Sequence, residues 1–408
     1  MSNIIRTLRT AILDASSSFK VILLTGPRQI GKTTLLKSIE KDFRSYVTLD
    51  DLDVRLAANQ DPASFLDRLE LPVLIDEVQY APNLFSYIKM IVDRTQQNGL
   101  FWLTGSQQFE MMKNVNESLA GRVAILQLQG ISLSEEQGRA DDPPFLPTLD
   151  LLKSRQKTAK QLTTPDVYRK IWRGSYPNRV TENNDKNWER FYSSYLTTYI
   201  QRDVREYLNI TDVAAFHKFM QIAAARTGQL VNYADIARDV GTSEVTIKTW
   251  LNVLQASGII YMLQPYFNNL TKRLIKTPKI YFMDSGLCAY LTGWLNYDVL
   301  ERGAMAGAML ETWVISEIIK SYLHHGRVPR IYFYRDKEKR EVDLLIEENG
   351  TLYPLEIKKT ASVQNLGFKG FKMLDGLNMP IGAGGVICMT PSFMAINKNV
   401  DAIPISFL

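Results

Sequence analysis

Cysteine is nearly missing from this 408-residue chain: only Cys288 and Cys388 are present, far apart and without a C-x-x-C spacing. That excludes a disulfide framework and a zinc ribbon, and it fits a reducing cytoplasm. No apolar run reaches the roughly 18 residues that a transmembrane helix needs, so none is expected. The opening stretch MSNIIRTLRTAILDASSS carries Asp14 and several polar residues where a secretory signal needs an apolar core. A cytoplasmic location is expected. Neither sign of charge dominates: 48 Lys and Arg face 43 Asp and Glu, a net charge of +5. Such a balance permits a polyanionic partner without demonstrating one. With 45% hydrophobic and 22% charged residues, the composition is that of an ordinary soluble globular protein. The length predicts roughly two to four domains. No internal repeat is visible.

What is present is an alternation of short apolar runs and helical stretches. KVILLTG, YVTLDD, LPVLIDEVQ, GLFWLTGS and RVAILQLQG read as strands. A helix is expected over 31–41, and another over 84–95 with Leu84, Ile88, Ile91 and Val92 on one face. The pattern predicts an α/β domain with a largely parallel sheet over residues 1–136. Residues 137–165 are polar, with four prolines, and read as a linker or insertion. A helical lid or connector over 166–211 follows.

The stretch GPRQIGKTT fits G-x-x-x-x-G-K-[ST], follows a strand and opens a helix. Gly26 and Gly31 allow the backbone to turn its N–H groups inward, and Pro27, Arg28, Gln29, Ile30 and Thr34 complete the cradle. Lys32 is expected to reach the β- and γ-phosphates of ATP, and the Thr33 hydroxyl to hold Mg²⁺. VLIDE supplies the second half: Asp76 at a strand end to organise Mg²⁺, and Glu77 to polarise the attacking water. LTGSQQ places Ser106 or Gln107 after the next core strand.

These motifs resemble the AAA+-type P-loop ATPases. Ser106 or Gln107 then matches the position that senses the γ-phosphate, although turn residues capping a strand would look the same. SLAGRVAILQLQGISLSEE, RGSYP, YLTTYIQRDV and KTPKIYFMDSGLCAYLTG extend the resemblance over most of the chain. They resemble a family of bacterial and archaeal ATPases that joins an AAA+-like domain to a C-terminal domain of unknown function. The resemblance implies ATP and Mg²⁺ as cofactors and a homo-oligomer whose sites borrow an arginine from a neighbour. Arg122 matches a Gly-Arg motif and is either that finger, a sensor or a structural ion-pair residue. Pro177 matches a Gly-x-x-Pro lid position touching adenine, or is a turn residue. GISLSEE lacks the proline usual in the family before its S-x-x-E element.

Residues 212–302 read as helix, turn, helix and hairpin, the pattern of a winged helix-turn-helix. Lys248 lies on the exposed face of the second helix of that motif. The hairpin turn NNLTKRLIKTPK holds Lys272, Arg273, Lys276 and Lys279 with no acid. Such a cluster suits DNA phosphates, an ordinary solvated tip or a protein-interaction module.

The final segment, 303–408, predicts a helix carrying Glu311, a strand, and a hairpin turning at Asn349-Gly350. Asp343 on one strand and Glu356-x-Lys358 on the next follow the layout of restriction-endonuclease-like folds. Asp343, Glu356 and Glu311 would bind a catalytic Mg²⁺, and Lys358 would orient or deprotonate a water. E-x-K alone arises about once by chance in a chain this long, so an inactive fold that keeps a Glu356–Lys358 ion pair is the alternative.

Overall fold

The computed structural model describes residues 4–40, 43–105, 118–182, 184–199, 212–267, 276–336, 338–362 and 370–408. β1 (Val21–Thr25) is apolar except for its last residue and buried along its whole length. It runs parallel between β4 (Phe101–Thr104) and β5 (Val123–Gln127). β3 (Val73–Asp76) and β2 (Ser45–Thr48) extend the sheet in the order β2-β3-β4-β1-β5, all parallel. Strands apolar on both faces need cover on both. Ile22 and Leu24 pack with Leu8 and Ile12 of the helix Leu8–Ser18, while Val21 and Leu23 pack with Leu84, Phe85 and Ile88 of the helix Leu84–Asp93. The five strands are those the alternating pattern predicts. Because they are parallel, the loop after β1 and the carboxylate ending β3 open on one edge.

Downstream, helices Val213–Ala225, Tyr233–Val240 and Glu244–Ala256 are followed by an antiparallel pair, β6 (Ile260–Leu263) and β7 (Lys279–Phe282). Their boundaries have local causes. The Asn232 and Ser243 side chains cap two helices by accepting from the N–H groups of Asp235 and Thr246. Gly241, at φ 90°, ends the helix between them. Trp250 packs against Phe216 and Phe219 with ring centroids 5.1 and 5.2 Å away.

The helix Ala306–Leu323 is buried on nearly every face and lies against a six-stranded mixed sheet. That sheet comprises β8 (Ile331–Arg335), β9 (Glu341–Glu348), β10 (Thr351–Lys358), β11 (Gly384–Cys388), β12 (Met394–Asn397) and β13 (Val400–Pro404), ordered β12-β13-β11-β10-β9-β8. Asn349 and Gly350 both have positive φ, 50° and 73°. They form the two-residue turn expected between β9 and β10. The chain after β6 pairs onto β8, with the Tyr266 N–H donating to Phe333 O at 2.7 Å and the Phe333 N–H to Gln264 O at 3.1 Å. One hydrophobic core runs from Leu8 and Ile22 through Trp250 to Leu344 and Phe407. Among the described residues, no helix is long and apolar enough to cross a membrane.

Residues 137–165, read from the sequence as a linker or insertion, are folded against the rest of the chain. They contain the helix Leu149–Thr158 and bury Phe145, Leu152 and Arg155. The Arg155 guanidinium donates to the carbonyls of Phe407 and Pro143, and Arg139 donates to Leu408 O at 2.7 Å. A polar sequence becomes part of the core here because its arginines satisfy backbone carbonyls that would otherwise be buried without partners.

A buried carboxylate joins three distant segments. Glu135 Oε2 lies 3.1 Å from Arg6 Nε, and Glu135 Oε1 lies 3.2 Å from His324 Nδ1. It also accepts from the N–H groups of Thr7 and Ser132, both at 2.9 Å. His324 Nε2 accepts from the Gln129 N–H at 3.3 Å, so in the neutral ring the proton sits on Nδ1 and faces Glu135. Burial pushes Glu135 upward, but Arg6 and His324 outweigh it and hold the carboxyl well below its ordinary range. Burial also lowers the His324 imidazole, with Glu135 opposing. Both groups bind protons less readily folded than unfolded, so their stability contribution is present at neutral pH and lost on acidification. Urea unfolding is expected to show stability falling from the ordinary histidine value of 6.5 downward and again through the ordinary glutamate value of 4.5. Glu135→Gln should lower stability at neutral pH by about 3–5 kcal/mol and flatten the acid limb.

Candidate nucleotide site and carboxylate cluster

The loop after β1 turns on residues with positive φ: Gly26 at 143°, Gln29 at 57° and Gly31 at 91°. Gly31 then caps the helix Lys32–Ile39. At Gly26 a Cβ would lie 2.1 Å from Leu128 O, so only glycine fits. The Lys32 ammonium is buried inside the loop and donates to the carbonyls of Gly26 at 3.0 Å and Pro27 at 2.9 Å. A phosphate cradled by the loop amides would lie beside it.

Thr33 Oγ1 donates to Asp76 Oδ1 at 2.8 Å. Thr104 also donates to Asp76 Oδ1, and the Tyr46 hydroxyl donates to Oδ2 at 3.1 Å. Thr104 and Tyr46 carry no motif that would single them out. The parallel register brings them in: Ile75 pairs with Leu103, so the residues ending β3 and β4 meet, and Thr48 pairs with Asp76. A polar residue closing the apolar run FWLT was the signal for Thr104. Glu77 leaves the strand at φ 56°, and its carboxylate accepts from Gln79. A hydroxyl and a carboxylate meeting at the mouth of a phosphate loop are a donor set suited to Mg²⁺.

Pro177 begins the helix Pro177–Thr181, and its Cγ lies 3.9 Å from where a Cβ on Gly31 would sit. It lines a cavity of about 350 Å³ together with Ile30, Gly31, Thr34, Thr181 and the N-terminal Ile4, Arg6 and Arg9. Arg6 also donates to Ile30 O at 3.4 Å. The N-terminal contribution was invisible in sequence, because that segment carries no motif. Gly258, in the turn after the helix Glu244–Ala256, also packs on the loop: a Cβ there would sit 3.2 Å from Pro27.

Arg122 does not join this site in its own chain. It precedes β5, whose Val123 pairs with Val21 at the start of β1, whereas the phosphate loop follows the far end of β1. Its guanidinium pairs with Asp93 and donates to Ala120 O at 2.9 Å. Ser106 and Gln107 lie outside the described residues, as do Lys272 and Arg273.

The structure does gather the C-terminal candidates. β9 and β10 pair as far as Leu344 with Leu355. Beyond that point Asp343 uses its side chain: Oδ2 accepts the Ile357 N–H at 2.8 Å. Glu356 accepts from Lys358 at 2.7 Å. Glu311 accepts from the Tyr281 hydroxyl at 2.5 Å and lies 3.5 Å from Lys279. Burial, reinforced by Asp343, pushes Glu356 up to about 7. Burial also raises Asp343 and Glu311, against the pull of the Ile357 N–H on Asp343 and of Lys279 on Glu311.

Lys279 corrects the expected wing. Its side chain is 7% exposed and pairs with Glu341 and Glu311 instead of facing solvent. Burial lowers its pKa, but the two glutamates outweigh that and raise it. The register of β7 turns Lys279 toward the sheet, which spacing along a basic turn does not reveal. Lys276 is exposed; Lys248 is exposed as well, with its ammonium 5.2 Å from the Tyr233 ring centroid. Glu311, Asp343 and Glu356 are thus brought into one neighbourhood, yet each is already engaged by a lysine, a tyrosine or a backbone N–H. Among the described residues, no three acidic, histidine or cysteine side chains are placed to hold a metal ion.

Comparison with known proteins agrees with the N-terminal geometry. Residues 18–136 match the model of an AAA domain, so this part of the chain is an AAA-type domain. Residues 164–298 match a domain of unknown function (DUF8612), and residues 306–408 another (DUF4143). Uncharacterized proteins of Mycobacterium tuberculosis and Mycobacterium bovis are each 29% identical over 343 residues, covering 84% of this chain and 71% of theirs. A Walker-type ATPase of Pyrococcus abyssi superposes with a TM-score of 0.42 at 14% identity, over 71% of this chain and 96% of its own. The RuvB Holliday junction branch migration motor of Thermotoga maritima gives a TM-score of 0.27 at 18% identity, over 63% and 86%. At those scores neither structure bears on function.

Gly26→Ala is expected to distort the loop, because the added methyl would meet the Leu128 carbonyl. Strain of about 1–3 kcal/mol corresponds to at least a several-fold loss of nucleotide affinity, measurable by titration with a fluorescent ATP analogue.

Proposed function

We propose that this protein binds and hydrolyses ATP with Mg²⁺ and acts on DNA, as a homo-oligomer. The observation that carries the hydrolysis reading is the meeting of Thr33, Asp76 and Thr104 beside the buried Lys32, with Glu77 next in the chain. The loop amides and the N-terminus of the helix Lys32–Ile39 bind the phosphates. Lys32 exchanges its carbonyl partners for the β- and γ-phosphate oxygens. Thr33 and Asp76 hold the Mg²⁺, which supplies charge neutralisation when bound. Glu77 takes a proton from the attacking water. Pro177 and the N-terminal segment enclose the base. A finger role for Arg122 requires a neighbouring copy, since it lies at the far end of its own sheet.

The DNA reading rests on the order helix, helix, hairpin in residues 233–282 and on the exposed Lys248 and Lys276. A second reading, a nucleotide-controlled switch whose C-terminal fold does not cut, is favoured by one observation: the carboxylates of the cluster are already paired.

Lys32→Ala is expected to abolish phosphate release from ATP. Glu77→Gln should keep ATP binding while lowering kcat by about 10²–10⁴; unchanged turnover in either variant would exclude the assignment. Lys248→Ala with Lys276→Ala should weaken duplex binding and reduce the slope of log K against log salt by about 2. An unaltered slope would move this region to protein interaction.

A further inference from the structure

Lys279 reaches the carboxylate cluster from outside the C-terminal segment. Its backbone is fixed on both sides: β7 pairs Lys279 with Leu263 of β6, and an isolated bridge pairs it with Leu230. The side chain then crosses to the C-terminal elements and meets Glu311 of the helix Ala306–Leu323 and Glu341 of β9. Tyr281, two residues along the same strand and therefore on the same face, donates to Glu311 at 2.5 Å. Two side chains of one strand thus converge on a buried acid of another segment.

A buried ammonium is tolerated only where opposite charge and hydrogen bonds replace its water. Here two glutamates offset that cost, and the Phe333 ring lies 5.5 Å from the ammonium nitrogen. Lys358 does the same for Glu356 on the outer side of the cluster. A divalent ion drawn to Glu311, Asp343 and Glu356 would have to displace Lys279 from Glu311 and Lys358 from Glu356.

We propose that Lys279 is the resident cation of the cluster, so that the acidic site is a lysine-locked joint between the β6–β7 hairpin and the C-terminal sheet. The ammonium engages Glu311, one of the carboxylates a metal would need, together with Glu341, and the lock holds the two segments in register. The ion pairs span elements far apart in sequence, whereas among the described residues β6 and β7 pair over four positions only. This inference does not depend on the ATPase reading, and its test uses no nucleotide.

The full chain is titrated with Mn²⁺, followed by electron paramagnetic resonance, as wild type and as Glu356→Gln, Lys279→Met and Lys279→Arg. Wild type and Lys279→Arg are expected to show no Mn²⁺ uptake that Glu356→Gln removes. Lys279→Met is expected to gain such uptake, and its β7 amides to exchange hydrogen at least tenfold faster. Wild-type uptake that Glu356→Gln abolishes would overturn the proposal, and this arm needs no lysine variant to fold. Unchanged β7 exchange in a folded Lys279→Met would overturn it equally.

Discussion

The architecture depends on a carboxylate taken wholly out of water. Glu135 has two oxygens, and the fold gives each a partner drawn from a distant segment: Arg6 and the Thr7 amide near the start, and His324 just after the helix Ala306–Leu323; the Ser132 amide adds a local one. An isolated buried charge is costly, so its three distant partners must arrive together. Arg6 also touches the phosphate loop through Ile30 O and lines the cavity beside it. The N-terminal segment, the AAA-type sheet and the C-terminal helix are therefore held by one charge-balanced point. The continuous hydrophobic core supplies cohesion around it. The ionic contacts supply register, because they are satisfied in one arrangement only.

The same device recurs. Lys320 pairs with Glu317, whose other oxygen accepts the Leu133 N–H, again bridging the C-terminal helix and the N-terminal domain. Arg139 and Arg155 hold the carbonyls of the last residues. Lys279 closes the hairpin on the C-terminal sheet. The phosphate loop is touched by Arg6, through Ile30 O, and by the Gly258 turn, which packs on Pro27. Through them the nucleotide site adjoins both the helix bearing Glu311 and the segment bearing Lys279.

Legibility followed locality. The phosphate loop was readable because its chemistry lies in contiguous residues and is delivered by backbone. Asp76 was readable because a carboxylate ending a buried apolar strand must meet a cation or hydrogen-bond donors there. The Asn349-Gly350 turn was readable because two successive positive φ angles demand those residues. Thr104 and Tyr46 were not, since only the parallel register brings them to Asp76. The 137–165 segment read as a linker or insertion because its few buried apolar residues are scattered among polar ones, and two of its buried residues are arginines whose role depends on carbonyls more than 250 positions away.

By itself the sequence determined the alternation of strands and helices, the phosphate cradle, the helix caps and the hairpin turn. Each is set by the conformational preference or hydrogen bonding of residues close in the chain. Only the tertiary structure decided where the charges act. It turned Lys279 inward from a basic turn, sent Arg122 to the far end of its sheet, and paired the carboxylates of Glu311, Asp343 and Glu356. Coulomb energy depends on separation and burial, and neither is written in the spacing of residues along the chain.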